Sequence, residues 1–123
     1  MKNLLTLLSF LAITTLVQAQ TEVTFAEKTH SFGKIKQHVP VTHTFSFTNT
    51  TSRPVVIESA TAECGCTTPE YAKGAILKGK TSEIKVTFNA ETAGSFKKNI
   101  TVKFAGMASY ILTIDGEVIP EKK

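Results

Sequence analysis

The feature that most constrains the fold is a strict alternation of side-chain character between Val41 and Asn49. Val41, His43, Phe45 and Phe47 share one parity, and hydroxyl residues occupy the positions between them. Because successive side chains of a β-strand point to opposite faces, this period of two predicts a strand with one buried face. No stretch of the sequence shows the sustained period of 3.6 that is typical of an amphipathic helix.

The same alternation recurs along the chain, with turn residues between the apolar runs. Turn signals at this spacing predict about seven short strands in an all-β fold, an immunoglobulin-like antiparallel β-sandwich with one core between two sheets. Inward-facing rows are predicted over 41–47, 84–88, 96–104 and 110–114, a bulge or bend at Gly33, a short edge element over 71–77, and a place at the rim of the core for Lys98.

The N-terminal residues 1–19 have the pattern of a secretory signal peptide. Lys2 supplies a positive charge, an apolar run covers residues 4–16, and small residues follow at the positions that a signal peptidase reads. The run is shorter than the about 20 apolar residues that span a bilayer. We therefore expect export, with no membrane span after cleavage.

The remaining residues fit one β-sandwich domain over 20–119 and a charged tail over 120–123. The formal net charge of the whole chain is +4, and the lysines are scattered rather than clustered. Nucleic-acid binding is not expected, because it requires a dense basic face with interleaved aromatic residues. Common catalytic motifs such as Gly-x-Ser-x-Gly, the phosphate loop and His-Glu-x-x-His are absent, so we expect no enzymatic activity.

Both cysteines lie one residue apart, in the segment Cys64-Gly65-Cys66-Thr67. In an oxidising compartment, two cysteines with no others favour a disulfide between them. Gly65 would then supply the unusual backbone angles that so small a ring needs. A bridge between residues two apart closes too short a loop to stabilise the fold much, and a strained bridge is more easily reduced.

Three other interpretations of Cys64 and Cys66 stay open. Two thiolates suit copper(I) or zinc, but a closed zinc site needs four ligands, and nothing places His30, His38 or His43 beside the cysteines. Thiol–disulfide exchange is the second, although the common redox motif has two residues between its cysteines. In the third, the pair packs in a loop as small apolar groups at the end of the core.

Asn49-Thr50-Thr51 and Asn99-Ile100-Thr101 match the acceptor pattern for N-glycosylation. In a bacterial protein, we favour instead a strand-end position and an outer-face position for these two asparagines.

Short motifs recur from one end of the predicted domain to the other. They are Phe32-Gly33-x-Ile35, Phe45-x-Phe47-x-Asn49, Pro54-x-x-Ile57, Cys64-Gly65-Cys66-Thr67, Gly79, Gly94-x-Phe96 and Ile114-x-Gly116. Together these motifs resemble the bacterial secreted domain of unknown function 1573, an immunoglobulin-like domain similar to the Hydin and major-sperm-protein type. The resemblance implies export to the periplasm or cell surface of a bacterium, a β-sandwich and no established activity, with Cys64 to Thr67 as the most specific part of the signature. His38 stands where the family often has Gly, Lys78 stands where Pro is usual, and Thr51 replaces a turn Gly.

The sequence therefore predicts an exported, non-enzymatic module that binds an unidentified protein partner at the cell envelope through its surface or an edge strand. The alternative is a soft-metal site for copper or zinc, or a thiol-redox module, that uses Cys64 and Cys66.

Overall fold

The structure, a computed structural model, describes residues 22–122, which form two four-stranded β-sheets packed face to face. This confirms the prediction of an immunoglobulin-like β-sandwich. The predicted signal peptide lies outside the described residues. Within residues 22–122, no helix is long and apolar enough to cross a membrane. The strands are β1 (Thr24–Phe25), β2 (Thr29–Lys36), β3 (Val41–Thr48), β4 (Ile57–Ala62), β5 (Thr67–Tyr71), β6 (Thr81–Phe88), β7 (Gly94–Phe104) and β8 (Tyr110–Ile119).

The strand order decides which segments meet. One sheet has the order β1-β3-β6-β5 and the other β2-β8-β7-β4. The short connection between β1 and β2 carries the chain from one sheet to the other, so these two strands lie on the same open side of the sandwich. Strands β4 and β5 lie on the opposite open side. All pairs are antiparallel except β2 with β8, which come from distant parts of the chain and therefore need no tight turn between them.

The core contains the rows that the alternation predicted. Phe45 and Phe104 have no exposed surface, and Phe88 is 3% exposed. Burying each such side chain is worth about 1.5–3 kcal/mol before the entropy of ordering is subtracted. Phe47 of one sheet meets Phe104 of the other edge to face, with ring centroids 5.3 Å apart. Inward-facing side chains of both sheets thus form a single core.

The predicted irregularity at Gly33 is confirmed. The register of β2 against β8 shifts between Ser31 and Lys34, and Gly33 has a φ of +68°. Glycine adopts this left-handed conformation without the steric cost of a Cβ, so it suits the bulged position.

The prediction of an edge element over 71–77 was wrong in position. The edge strand is β5, which begins at Thr67, directly after the second cysteine. Within 72–77 the one strand-like contact is an isolated bridge from Ile76 to Val55. Pro69 lies within β5, where it is tolerated because no neighbouring strand needs its missing N–H on the open side of this edge strand.

Asn49 is completely buried at the end of β3, and every polar group of its side chain has a partner. Its Nδ2 donates to the carbonyl oxygens of Arg53 (2.7 Å) and Ile76 (2.9 Å), and its Oδ1 accepts from the N–H (3.0 Å) and the hydroxyl (2.6 Å) of Thr51. Asn49 is therefore a structural strand-end residue rather than a glycan acceptor. Asn99 is exposed on the outer face, as predicted.

Candidate functional site

The Cys-Gly-Cys segment connects β4 to β5 and thus joins the two sheets at one open side of the sandwich. Each end of the segment is tethered to a different sheet. The N–H of Glu63 donates to the carbonyl oxygen of Asn99 in β7 (3.2 Å). The N–H of Asn89, directly after β6, donates to the carbonyl oxygen of Cys66 (2.9 Å). The loop is therefore held in place on both sides.

In the structure, the sulfurs of Cys64 and Cys66 are bonded to each other, with the two Cα atoms 5.3 Å apart. Both residues are half-buried, and Cys66 packs against the margin of the core. A bonded pair offers no thiolate, so the soft-metal alternative requires that the pair first be reduced.

Thr67 is the polar neighbour of the sulfurs. It is 4% exposed, and its Oγ1 lies 3.6 Å from the Sγ of Cys66 and 3.9 Å from the Sγ of Cys64. Bonded sulfurs carry no proton, so the hydroxyl is the only donor here, and its single proton is directed at one sulfur or shared between the two. This gives a physical role to the threonine of the signature, because its buried hydroxyl is satisfied by the sulfurs.

The expected role of Gly65 was wrong. Gly65 is not among the residues with a positive φ, and open space lies where a Cβ would stand. The fold therefore does not require glycine at this position. What Gly65 does provide is an exposed backbone without a side chain between the two half-buried cysteines.

A cavity of about 300 Å³ borders Cys66. Phe88 and Phe96 stack in its wall with ring centroids 4.0 Å apart. Lys98 also lines the cavity and is half-buried, which agrees with its predicted place at the rim of the core. Cys66 thus borders a cavity that has an aromatic wall and is lined by side chains of both charges, Lys98 and Glu91.

The histidines do not gather at the cysteines. His30 in β2 and His43 in β3 lie on the opposite open side of the sandwich, where their rings stack 3.6 Å apart. Glu27, between β1 and β2, hydrogen-bonds to Nε2 of His43. His43 is in the inward row, as predicted, but its contact with Glu27 was missed. The two residues lie on different segments, and local periodicity carries no signal of such a contact.

The free edge of β4 is the other feature of interest on the cysteine side. The backbone N–H of Glu63 donates to the carbonyl oxygen of Asn99, and the N–H of Asn99 donates to the Oε1 of Glu63. Residue 63 thus has its backbone directed at β7, and inward and outward directions alternate along an antiparallel strand. The N–H and C=O groups of Ala60 and Ala62 therefore point away from β7, towards the open side. Between residues 22 and 122, no backbone group pairs with them.

The fold and the loop define the chain as an immunoglobulin-like sandwich domain with a cystine between residues 64 and 66 at one open side. A family model described as "Protein of unknown function (DUF1573)" matches residues 23–118. The chain belongs to this family.

Solved structures with the same fold have little sequence in common with the chain. The PapD-like domain 7 of human CEP192, an ASH/PapD-like domain, has a TM-score of 0.71 at 10% identity, with 83% of this chain and 88% of that one covered. A protein of unknown function from Porphyromonas gingivalis W83 has a TM-score of 0.66 at 13% identity, with 78% and 46% covered. The YadV chaperone has a TM-score of 0.52 at 12% identity, with 81% and 52% covered. These likenesses concern the fold alone.

A comparison with curated protein sequences found no match.

The structure explains one departure from the family pattern. His38 has a φ of +66°, the left-handed conformation that glycine adopts most readily. The Gly that the family has at this position suits the turn, and His38 adopts the same backbone with a side chain that contacts Glu91 (Nδ1 to Oε2, 2.8 Å).

Proposed function

We propose that this protein is an exported, non-enzymatic module, in the periplasm or at the cell surface of a bacterium, that binds an extended segment of a protein partner along the free edge of β4. The observation that carries the proposal is the set of outward-pointing backbone groups of Ala60 and Ala62. An unpaired row of N–H and C=O groups is a template for strand addition, in which main-chain hydrogen bonds supply the affinity.

The other three edges are protected by features that discourage strand pairing. Strand β1 has two residues, and β2 carries a bulge and two lysines, Lys34 and Lys36. In β5, the Asn89–Cys66 hydrogen bond fixes the alternation so that Pro69 falls at an outward-pointing position. Proline has no N–H, so this edge lacks a donor where a partner strand would need one.

The side chains of β4 indicate what kind of segment fits. Ser59 to Ala62 are small and uncharged. Ala60 and Ala62 lie half-buried at the margin of the core, together with Cys66 and Tyr71. A partner strand beside β4 would direct every second side chain towards this apolar margin. The segment that fits best is therefore extended, with apolar residues at alternate positions.

The test compares two substitutions of Ala62. Ala62→Pro removes an outward donor without breaking a bond to β7, so the domain should keep its thermal midpoint while partner binding weakens at least about tenfold. Ala62→Ser keeps both the N–H and the small size, and should bind normally. A photoreactive residue at Thr61, on the same strand, reports on binding through cross-links to envelope proteins of the host.

Backbone pairing makes a further, specific demand on the complex. Hydrogen exchange at the amides of Ala60 and Ala62 should slow when the cross-linked partner is bound, because both N–H groups then become hydrogen-bonded. Equal binding by the proline variant would contradict the proposal. So would cross-links formed from Thr44, on the outer face of β3, rather than from Thr61.

A second candidate, thiol–disulfide exchange by Cys64 and Cys66, is favoured by the exposed Gly65 between the sulfurs. In this reaction two glutathione thiols would be oxidised to one disulfide, while the cystine takes up two electrons and two protons. Equilibration with glutathione, followed by mass measurement of the two-dalton gain, gives the reduction potential. A value in the range of about −120 to −270 mV would match catalytic dithiols, and one below about −300 mV would indicate a structural bridge. Copper(I) or zinc binding by the same cysteines would appear only in the reduced protein.

A further inference from the structure

Three side chains able to bind a metal ion converge where β2 passes β3, on the side of the sandwich away from the cysteines. Glu27, His30 and His43 each present one ligand atom, and all three atoms lie within 4.8 Å of one another. We propose that these residues form a binding site for a divalent transition-metal ion of the zinc type.

The chemistry of the donor set selects this class of ion. Imidazole nitrogens suit zinc and its first-row neighbours, whereas calcium and magnesium are bound by oxygen ligands. Two histidines and one carboxylate supply three ligands, which leaves a fourth position for water or a residue of another molecule. The site is thus of the open kind and contains no cysteine.

Aromatic rings surround the two imidazoles. The rings of His30 and His43 are stacked, with centroids 3.6 Å apart and planes 6° from parallel. Phe32 meets His30 edge to face at 4.8 Å, and Phe45 meets His43 at 4.7 Å. An imidazole binds a metal ion in the plane of its own ring, so two parallel rings cannot both point at one ion. The ring of His30 must therefore turn out of the stack on binding, while His43 stays in place beside Phe45 and Glu27.

Burial differs across the site in a way that suits ligand capture. The side chain of His43 is 19% exposed, whereas that of Glu27 is 46% exposed. Ligands of one tetrahedral zinc ion lie about 3.3 Å apart, so the present spread of up to 4.8 Å must close on binding. Rotation of the exposed Glu27 carboxylate and of His30 can provide this without a change in either strand. The hydrogen bond between Glu27 and His43 would then be replaced by two bonds to the ion.

Metal binding here would link the two sheets. His30 belongs to an edge strand of one sheet and His43 to the other, and Glu27 lies in the connection between the sheets. Because an ion that binds only the native state stabilises it, the thermal midpoint should rise with zinc concentration. This inference does not rest on the partner-binding proposal, which concerns the opposite open side.

The experiment is a titration of the folded, non-reduced protein with Zn²⁺, followed by calorimetry, native mass spectrometry and thermal unfolding. One equivalent should bind and raise the thermal midpoint. His30→Gln and His43→Gln each remove one proposed ligand. Substitution of residues that merely surround the ligands of a metal site commonly weakens metal binding by about 10–100-fold, and each of these two variants should weaken zinc binding by more than that. Glu27→Gln should weaken it also. His38→Asn is the matched control, because it removes the histidine that lies outside the proposed site. Asparagine tolerates the left-handed backbone conformation at this position.

Several outcomes would overturn the assignment. These are an unmodified protein that binds no zinc, zinc binding that survives His43→Gln in a folded variant, or loss of binding in His38→Asn. A double variant, Cys64→Ser with Cys66→Ser, should bind zinc as the unmodified protein does. Loss of binding in that variant, if it is folded, would contradict the assignment to Glu27, His30 and His43. Far-ultraviolet circular dichroism of each variant distinguishes a lost ligand from a lost fold.

Discussion

Asn49→Asp is expected to lower the free energy of unfolding by about 3–5 kcal/mol near neutral pH, although the two side chains have nearly the same shape. The Nδ2 of Asn49 donates to the carbonyl oxygens of Arg53 and Ile76. A carboxylate oxygen in its place would face both carbonyls with no proton to donate, and the site is completely buried. A typical domain is stable by about 5–15 kcal/mol, so this one atom decides a large part of the total.

The same variant should recover part of its stability in acid. Burial beside two acceptors favours the protonated carboxyl group in the native state, so the native state binds more protons than the unfolded chain. Stability then falls as pH rises and is regained as pH falls, because a protonated carboxyl group can donate to one of the two carbonyls. Denaturant unfolding at several pH values measures this slope.

The matched control is Asn99→Asp, which makes the identical chemical change on the exposed face. The Oδ1 of Asn99 accepts from the hydroxyl of Thr113, and a carboxylate oxygen can accept in the same way. Its effect should stay within about 0.5 kcal/mol. Equal losses in the two variants would show that the buried network does not carry the effect. A stable Asn49→Asp protein with no pH slope would contradict the prediction directly.

The alternation around Phe45 was sufficient to predict the fold class, because period two within a strand is a local property of the sequence. It also placed His43 in the inward row. A glycine within the short strand-like run at Phe32–Ile35 separately predicted the bulge or bend at Gly33. Sheet order is not local. Nothing near β2 or β8 indicates that they pair in parallel, since their contact depends on how all the strands between them are arranged.

The polar sites show the same limit. Asn49 stands at the end of a strand among hydroxyl residues, a context typical of a surface turn. Its buried role is visible only in the structure, where its side chain donates to the carbonyl oxygens of both Arg53 and Ile76. The motif Cys64-Gly65-Cys66 was recognised from the sequence, yet the reason given for its glycine did not hold. Glu27 and His43 lie on different segments and meet across the open side of the sandwich. The sequence alone did not predict that they belong to one site.

Three glycine and aromatic positions of the family signature meet at one point in the structure. A Cβ on Gly116 would lie 2.8 Å from the carbonyl oxygen of Gly33 and 2.9 Å from the Cζ of Phe96. Both distances are shorter than a carbon atom can adopt without displacing its neighbour. The bulge in β2, the ring on β7 and the backbone of β8 are therefore packed against one another, and the absent side chain of Gly116 makes this possible.

Gly116→Ala is accordingly expected to lower the free energy of unfolding by about 2–3 kcal/mol, because the added methyl group overpacks the contact. The obstacle is partly backbone, at Gly33, and backbone relaxes less easily than a ring. Phe96→Leu should relieve the other part, so the double variant Gly116→Ala with Phe96→Leu should lose less than the sum of the single losses. Chemical denaturation of all four proteins gives this coupling energy.

Gly65→Ala provides the control for the added methyl group, because open space surrounds that position and its φ is not positive. Its stability should agree with that of the unmodified protein within about 0.5 kcal/mol. If Gly116→Ala proved equally harmless, the packing of Gly33 and Phe96 on Gly116 would not explain these signature residues. If Gly65→Ala left stability intact but altered partner binding or thiol exchange, the glycine between the cysteines would serve access to the loop rather than the fold.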